Sequence, residues 1–507
     1  MSKIRLIKVM MVLIVFTLIG ASAMAQQKPN IVIIYVDDLG YGDIGVNGAV
    51  GVKTPHVDAL AARGLNFTDA HSGASTCTPS RYTLLTGRYA FRQQAGILQG
   101  DAPLIIETNK GTLPKMLQKA GYTTGVVGKW HLGLGNGDVN WNKEVTPGPR
   151  EVGFDYSFLI PSTGDRVPCV YLENQQIVGL DPSDPVTVSY QYELDGYPIG
   201  SQQPELLKQH TESYHLGSII NGYSRIGYMS GGRSALWTDE QFPFVLSEKA
   251  QRFMEKNAKQ PFFLYFSLHE IHQPRVPNAQ FVEKSSMGPR GDVIAQMDWC
   301  VGQITRTLDS LGLTENTLIL FTSDNGPILD DGYLDYAREL VGSHRPAGPY
   351  RGTKYSVYEG GTRVPTIISW PARVQPGVSS ALISQVDLYA SLAALVGQKA
   401  IDGDDSQDLL SVWLGEQYEG RSFLLEESYT YGLRHGKWKY IAPKNAEVPQ
   451  WIKEKYVDPG FYPTAQLFDL ENDPYESNNL AERYPIVASK LKDRLESILT
   501  SDKSETE

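Results

Sequence analysis

The segment Ile31-Val32-Ile33-Ile34-Tyr35-Val36-Asp37-Asp38 decides the fold of this chain. Its continuous apolar and β-branched run predicts a strand that is buried on both faces, as the inner strands of parallel sheets are. Two aspartates follow directly at the carboxyl end of this strand, where open α/β sheets bind their ligands. Adjacent carboxylates repel each other and need a positive partner. A hard cation with oxygen ligands is the natural partner, and a structural turn is the alternative.

Polar side chains also follow three other predicted strands, over residues 122–127, 261–266 and 317–322. These side chains are Lys129, His131, His272, Asp324 and Asn325, and a later loop adds Lys354. Because parallel strands end at the same edge of a sheet, we expect these groups to converge. The cage formed by Asp37, Asp38, Asp324 and Asn325 would offer carboxylate and amide oxygens, which suit calcium better than zinc.

A second diagnostic segment is Cys77-Thr78-Pro79-Ser80-Arg81-Tyr82-Thr83-Leu84-Leu85-Thr86-Gly87-Arg88, which reads as a helix. Pro79 suits the first helical position, and Gly87 suits the left-handed turn after the last. Cys77 would then lie at the helix entry, where free N–H groups and the helix dipole lower a thiol pKa and favour a bound oxyanion. Arg81, one turn further, adds a planar donor fork for sulfate, phosphate or carboxylate.

This segment resembles the signature of the formylglycine-dependent sulfatases, Cys-x-Pro-Ser-Arg followed by Leu-Thr-Gly-Arg. Three further segments are similar to the same family: Gly128-Lys129-Trp130-His131-Leu132-Gly133, the Lys-x-x-x-Tyr-Glu-Gly-Gly run that begins at Lys354, and the Leu-Phe-Asp-Leu-x-x-Asp-Pro-x-Glu run that begins at Leu467. The resemblance extends over nearly all of the chain that follows residue 25. It is strongest between Asn30 and Pro365.

The resemblance implies the alkaline-phosphatase-like fold, an α/β architecture with a large mixed sheet flanked by helices and a small α+β C-terminal domain. It implies that a maturation enzyme oxidises Cys77 to formylglycine, whose hydrate is the nucleophile for an O-sulfate ester. Long, tyrosine-rich loops in a member of the family that is predicted to be exported suggest a sulfated glycan as the substrate. The implied calcium ligands are Asp37, Asp38, residue 77, Asp324 and Asn325. Arg81, Lys129 and His131 would stabilise the nucleophile. His272 or Lys354 would protonate the departing sugar oxygen, and an ordinary imidazole pKa slightly favours His272.

Three alternatives to this assignment stay open. A phosphate or phosphonate monoester hydrolase of the same superfamily would use nearly the same groups. A cysteine hydrolase would use Cys77 as a thiolate with a histidine, but it would leave the carboxylate cage unexplained. A non-catalytic glycan-binding protein would follow if residue 77 remained a thiol.

The first 25 residues are typical of a secretory signal peptide. Lys3, Arg5 and Lys8 precede an apolar stretch over 9–20, and Ala23-Met24-Ala25 is a small-residue cleavage site. We therefore predict an exported protein, periplasmic or secreted, with no transmembrane segment after signal removal. The predicted domains are the catalytic domain over 26–415 and the small C-terminal unit over 416–507.

The charge of the chain bears on its partners. The 507 residues have a formal net charge of −11, and removal of residues 1–25, which hold three cationic side chains and no acidic one, leaves −14. No basic stripe offsets this charge, so nucleic acid is excluded as a partner. An anionic substrate must be attracted by a local cationic pocket.

Residues 134–241 are rich in Gly, Tyr and Pro and show no strong periodicity, which predicts inserted loops and small strands. Loops on a rigid scaffold usually carry specificity. The candidate sugar or anion contacts in this region are Asp165, Arg166, His215 and Arg233, although each could be an ordinary solvated side chain. Cys169 and Cys300 could form at most one disulfide. Cys300 lies beside an apolar helical stripe within residues 293–311 and is expected in the core.

Overall fold

The structure, a computed structural model, describes residues 28–212 and 214–501. The predicted signal peptide over residues 1–25 lies outside these ranges, as does the end of the chain from residue 502. Within the described ranges, no helix combines the length and the apolar character needed to cross a bilayer.

A sheet of ten strands forms the centre of the molecule. In chain order its strands are β1 (Asn30–Val36), β2 (Leu65–Phe67), β3 (Thr123–Lys129), β4 (Tyr156–Ile160), β5 (Leu172–Glu173), β6 (Gln176–Ile177), β7 (Phe262–Ser267), β8 (Thr317–Ser323), β9 (Thr366–Ser369) and β10 (Gly377–Ser379). Their order across the sheet is β10-β2-β9-β8-β1-β7-β3-β4-β5-β6. The five strands from β8 to β4 are mutually parallel, whereas β9 and β5 run antiparallel to their neighbours.

Strand β1 lies in the middle of the parallel part, as its apolar run predicts. Every residue from Ile31 to Val36 is fully buried. Tyr35 pairs with Ser267 of β7 on one side and with Thr322 of β8 on the other, and Ser267 pairs in turn with Gly128 of β3. The four strands therefore end at the same level, and the residues that follow them share one edge of the sheet.

Helices cover the sheet and supply the rest of the core. The seven longest are α1 (Pro55–Ala62), α2 (Cys77–Thr86), α3 (Leu113–Lys119), α4 (Phe242–Asn257), α5 (Gly288–Ser310), α6 (Leu388–Leu395) and α7 (Pro485–Thr500). Four-residue helices lie at Pro149–Val152, Ala337–Leu340, Glu359–Thr362, Leu410–Trp413 and Gln450–Lys453. The apolar stripe of α5 is buried as predicted, and Cys300 is fully buried within it.

A second sheet lies near the C-terminus, with four antiparallel strands in chain order: β11 (Phe423–Glu427), β12 (Tyr431–His435), β13 (Trp438–Ile441) and β14 (Gln466–Asp469). Helix α7 packs on it through Leu491 and Leu495, and the same apolar cluster includes Tyr89 and Val386 of the larger part. The fold class expected from the sequence, a large mixed sheet with a small α+β appendage, is confirmed.

The structure differs from the sequence expectations in three places. Residues 134–241 form loops and small strands as expected, but they also contribute β4 to the parallel core, because Tyr156–Ile160 pairs with β3. Strand β12 was not expected, since its short sequence carries Gly432 and Arg434. Helix α2 begins at Cys77, so Pro79 is its third residue, a position in the first turn where a missing N–H is still tolerated.

Candidate active site

The four residues of the predicted cation cage meet at the carboxyl edge of β1 and β8. Asp37, Asp38, Asp324 and Asn325 are all fully buried. Because β1 and β8 are paired in parallel register, the two short segments lie side by side. The Asp38 N–H donates to Asp324 Oδ1 at 3.2 Å, and the Asn325 amide donates to Asp38 Oδ1 at 2.7 Å. The sheet therefore concentrates three carboxylates in one small buried volume.

Each carboxylate of the cage has a buried cationic partner. The ammonium of Lys129 donates to Asp37 Oδ2 at 2.5 Å, and Arg81 Nη2 donates to Asp324 Oδ2 at 2.7 Å. Lys354 Nζ lies 2.8 Å from Asp38 Oδ1. These cations come from the end of β3, from α2 and from the loop before β9. The site thus holds three negative and three positive side chains before any ion or substrate is added.

The cage also has features that fit a bound metal ion. Asp37 Oδ1 and Asn325 Oδ1 are buried without a hydrogen-bond partner in the described structure. Burial and the neighbouring Asp324 raise the pKa of Asp37 well above its usual value, and burial raises that of Asp38. Ligand atoms of Asp37, Asp38 and His272 lie within 4.8 Å of one another. Free carboxylate and amide oxygens are what a hard cation binds, so this group could hold one.

Cys77 is the first residue of α2 and is 2% exposed. All ten residues of this helix are buried, and Gly87 ends it with a φ of 66°, as expected. The expectation of a low thiol pKa was wrong: burial raises the pKa of Cys77, although the charges of Lys129 and Lys354 oppose it. A thiol is therefore held protonated here, which argues against a cysteine hydrolase.

Several N–H groups of the Arg81 guanidinium donate hydrogen bonds to other groups of the protein. In addition to Asp324, its Nη1 donates to the carbonyl of Lys129 at 3.2 Å and to the hydroxyl of Ser267. Its Nε has no hydrogen-bond partner in the described structure. Arg81 therefore ties α2 to the ends of β3, β7 and β8.

His131 follows β3 with a φ of 50° and is buried. Its Nε2 lies 3.0 Å from the carbonyl oxygen of Leu98, so Nε2 carries the ring proton and Nδ1 is an acceptor. Nδ1 has no partner in the described structure. Burial and the charges of Lys129 and Arg166 lower the pKa of His131 well below its usual value. The ring is therefore neutral and offers one free acceptor.

His272 and Lys354 lie together beside Asp38. His272 Nδ1 is 2.5 Å from the carbonyl oxygen of Gln273, which makes Nδ1 the protonated nitrogen, and Nε2 is 3.9 Å from Asp38 Oδ2. Burial and the charges of Lys354 and Lys129 lower the pKa of His272 well below its usual value. Burial lowers the pKa of Lys354, but Asp331 and Asp38 raise it further, so the ammonium keeps its proton. The ordinary imidazole pKa that favoured His272 as the acid is absent here.

Three of the four candidate sugar contacts form one group, in which Asp165 and His215 are buried and the side chain of Arg166 is 14% exposed. Arg166 Nη1 donates to both oxygens of Asp165 at 2.9 Å, and His215 Nε2 lies 3.2 Å from Asp165 Oδ2. The positive charge of Lys129 helps to lower the pKa of Asp165, and that of Arg166 helps to lower the pKa of His131, so the group adjoins the active-site residues. Arg233 is instead exposed and contacts Gly196.

Residues that the sequence did not single out complete this region. Asp331 accepts hydrogen bonds from Lys354 and from the Tyr355 hydroxyl, both at 2.9 Å, and lies 2.7 Å from Lys455 Nζ. Asp331 follows β8 in a loop, and Lys455 follows a four-residue helix between β13 and β14. Asp331 and Lys455 do not directly follow a strand. The sequence pattern that predicted the cage, polar side chains directly after strands, therefore does not identify them.

A second cluster of potential metal ligands, Asp69, His71 and Glu359, is an ion-pair network. Asp69 lies 2.8 Å from Arg363 and 2.7 Å from Arg434. The carboxylates are therefore neutralised by guanidinium groups. The three cysteines are all buried and free, so Cys169 and Cys300 are not bridged.

Comparisons with known proteins show the family and the fold of this chain. The family model of the sulfatases matches residues 29–398. An N-acetylgalactosamine-6-O-sulfatase of Bacteroides thetaiotaomicron is 48% identical over 481 residues, which is 94% of this chain and 94% of the relative. Human arylsulfatase A is 32% identical over 490 residues, with 91% of this chain and 85% of the relative covered. A solved Bacteroides thetaiotaomicron structure, reported for the metabolism of multiple glycosaminoglycans, has a TM-score of 0.91 at 48% identity and covers 94% of this chain and 100% of that chain.

The family model covers the central sheet and the cage, and the alignments with the two relatives cover 94% and 91% of this chain. The resemblance inferred from the sequence motifs is confirmed, and so is the alkaline-phosphatase-like architecture. The chain belongs to the sulfatase family, whose members hydrolyse sulfate esters.

Proposed function

We propose that this sulfatase removes an O-sulfate group from a sulfated glycan, with residue 77 as the nucleophile after oxidation of Cys77 to formylglycine. The observation that carries the proposal is the position of Cys77 at the start of the buried helix α2, where the charges of Lys129, Lys354, Asp324 and Asp37 all act on it. Formylglycine supplies a hydrated aldehyde, of which one hydroxyl attacks sulfur while the other allows sulfate to be released afterwards.

We propose calcium as the metal, held by Asp37, Asp38, Asp324 and Asn325 together with residue 77. The ion would act as a Lewis acid on the sulfate oxygens. Because the side chains alone are balanced, a divalent cation leaves the site with a positive charge. That surplus suits an anionic ester and a deprotonated nucleophile bound together, and it supplies the local cationic pocket that a chain of net charge −11 needs.

Three residues serve the nucleophile side of the site in this proposal. Lys129 holds Asp37 in place and contributes positive charge. Arg81 fixes α2 against Asp324, so that residue 77 keeps its distance from the cage. His131 is neutral, and its free Nδ1 can accept the proton that the nucleophile loses.

His272 and Lys354 serve the leaving-group side. Both lie beside Asp38, and Lys354 is a permanent donor whose ammonium can hydrogen-bond the bridging ester oxygen. His272 must first acquire a proton on Nε2 to act as an acid, because its Nδ1 proton is engaged by Gln273. Either residue can therefore stabilise the departing alkoxide, and the leaving-group test described in the Discussion separates them.

The group of Asp165, Arg166 and His215 is the proposed sugar-binding wall. A carboxylate, an imidazole and a guanidinium held by one another can accept from and donate to adjacent sugar hydroxyls with little loss of side-chain entropy. The relative that is 48% identical is named for the 6-O-sulfate of N-acetylgalactosamine, so this sulfated amino sugar is the first substrate to test. The predicted signal peptide supports export to a compartment where such glycans are available.

The test is a screen of sulfated monosaccharides and disaccharides with protein co-expressed with a maturation enzyme. We expect release of inorganic sulfate from a 6-O-sulfated hexosamine and a much lower rate with the corresponding phosphate ester. A faster rate with the phosphate ester, or no sulfate release from any sugar, contradicts the proposal. Cys77→Ala protein is the control for contaminating activity.

A further inference from the structure

Asp331 is one of the points at which the C-terminal sheet region contacts the active site. Its carboxylate is 5% exposed and receives Lys354 on one side and Lys455 on the other. The Tyr355 hydroxyl donates to the same carboxylate, and His272 Nε2 lies 3.7 Å from it. The carboxylate of Asp331 thus lies between the ammonium groups of Lys354 and Lys455. Of these two, the ammonium of Lys354 also contacts the cage.

The segment that carries Lys455 is itself fixed on the site. Lys455 follows the helix Gln450–Lys453 in the connection between β13 and β14, and Ile452 of that helix is fully buried. The ring of Trp451 packs edge-on against the ring of Tyr355 at 5.2 Å. Two arms of this region therefore reach Asp331, a direct one through Lys455 and an indirect one through Trp451 and Tyr355.

The flexibility of a lysine explains why Lys354 needs this support. Its ammonium stands at the end of four rotatable carbons and is free to turn toward whichever anion attracts it. Asp38 contacts it with both oxygens, at 2.8 and 2.9 Å, and Asp38 is also a proposed metal ligand. Asp331 offers a second carboxylate that is not part of the cage. With both partners present, the ammonium is held between the cage and the leaving-group side.

We propose that Asp331 and Lys455 are positioning residues for Lys354: Asp331 holds its ammonium at the leaving-group side, and Lys455, from the C-terminal sheet region, fixes Asp331 in that place. This inference rests on the proposed function of Lys354. It makes the β13–β14 connection a part of the active site, although Lys455 itself does not contact the cage. Lys455 acts only through Asp331, so the effects of the two residues are coupled.

The test is a double-mutant cycle on kcat and KM for the sugar sulfate. We expect Asp331→Asn to lower kcat by about 100-fold and Lys455→Met by about 10-fold, with KM changed by less than about 3-fold, because the contact matters most in the transition state. The double variant should be no slower than Asp331→Asn alone. Lys455→Arg, which keeps the charge, should restore most of the rate. Lys453→Met, an exposed lysine of the same segment, is the matched control and should behave as wild type.

A second readout compares leaving groups. For each variant, the loss of rate on the sugar sulfate is divided by the loss of rate on nitrophenyl sulfate. This ratio should be the same for Asp331→Asn and Lys455→Met as for Lys354→Ala, because all three changes act through the ammonium of Lys354. A general loss of folding would instead lower both rates together with the thermal midpoint. If Asp331→Asn does not fold, the comparison of Lys455→Met with Lys455→Arg decides the matter.

Three outcomes overturn the inference: losses that multiply in the double variant, a Lys455→Met rate equal to wild type, or a leaving-group ratio unlike that of Lys354→Ala. A wild-type protein without sulfatase activity contradicts the proposed function as well. An active wild type with multiplying losses contradicts only the coupling of Asp331 and Lys455.

Discussion

The guanidinium of Arg81 and the carboxylate of Asp324, 243 residues apart in the chain, are joined by a hydrogen bond of 2.7 Å inside the protein. This bond ties the helix that begins at Cys77 to the strand end that supplies the cage. The proposed nucleophile position and the proposed cation site are therefore linked by a direct hydrogen bond. Replacement of Arg81 should alter both together, which is a reason to test them through other residues first.

The first prediction concerns residue 77. In protein made with a maturation enzyme, the peptide that contains Cys77 should have the mass of an aldehyde or its hydrate in place of the thiol. Cys77→Ala and Cys77→Ser should both be inactive, because neither side chain can release sulfate as a hydrated aldehyde does. Mass spectrometry and sulfate release measure this. Full activity of protein whose residue 77 is an unmodified thiol would refute the assignment.

The second prediction concerns the metal. Metal analysis of purified protein should find one calcium per chain, and Asp37→Ala or Asp324→Ala should remove most of it. Calcium should also raise the thermal midpoint, since a ligand at 100 times its Kd stabilises the folded state by about 2.7 kcal/mol. Asp493→Asn, on the exposed side of α7, is the control. Unchanged metal content in the cage variants would show that calcium binds elsewhere or not at all.

The third prediction separates the two leaving-group residues. A general acid matters most when the leaving group is poor, so its removal should slow a sugar sulfate about 100-fold more than a nitrophenyl sulfate. Because Lys354 is a permanent donor and the pKa of His272 is lowered by burial, we expect Lys354→Ala to show this difference more strongly than His272→Ala. Lys129→Ala should slow both substrates alike. If Lys354→Ala and His272→Ala each lower the rates on the two substrates equally, neither residue is the general acid.

The fourth prediction concerns the sugar-binding wall. Asp165→Asn and His215→Ala should raise KM for the sugar sulfate by about 10-fold or more, while nitrophenyl sulfate, which lacks sugar hydroxyls, should be hydrolysed almost normally. Arg233→Ala is the matched control, because Arg233 was a candidate of the same class but lies exposed away from the group. If Arg233→Ala has the larger effect on KM, the wall has been wrongly located.

The fifth prediction concerns stability at a buried ion pair outside the site. Asp43 contacts Arg290 at 2.8 and 2.6 Å and His344 at 2.8 Å. Burial raises the pKa of Asp43, but Arg290 and the His344 hydrogen bond lower it further, to about 2. Asp43→Ala leaves a buried guanidinium unpaired and should cost about 3–5 kcal/mol.

The pH dependence of this pair has a definite sign. The folded-state pKa of Asp43 lies below its unfolded value of 3.8, so its contribution is complete above pH 3.8 and is lost as the pH falls through about 2. The gap in thermal midpoint between wild type and Asp43→Ala should therefore shrink in strong acid. Asp43→Ala/Arg290→Met should recover part of the loss at neutral pH. A gap that widens in acid would contradict the pairing.

The sequence was most informative where chemistry and strand ends coincide. The apolar run from Ile31 predicted a buried parallel strand, and the polar side chains after four predicted strands predicted one shared edge. Strand β4 was missed because it lies in a region without strong periodicity. Asp331 and Lys455 were missed because loops bring them together, and loop paths depend on contacts far apart in sequence. The thiol pKa of Cys77 was predicted in the wrong direction, since a helix start was visible in the sequence but its complete burial was not.

That burial has a consequence for the order of events in the life of the protein. Cys77 is 2% exposed and belongs to a helix whose ten residues are all buried, so another enzyme cannot reach its sulfur once the chain has folded. An oxidation of Cys77 must therefore occur on the nascent or unfolded chain, before folding buries α2. For an exported protein, maturation then competes in time with folding, and a chain that folds first is permanently left with a thiol.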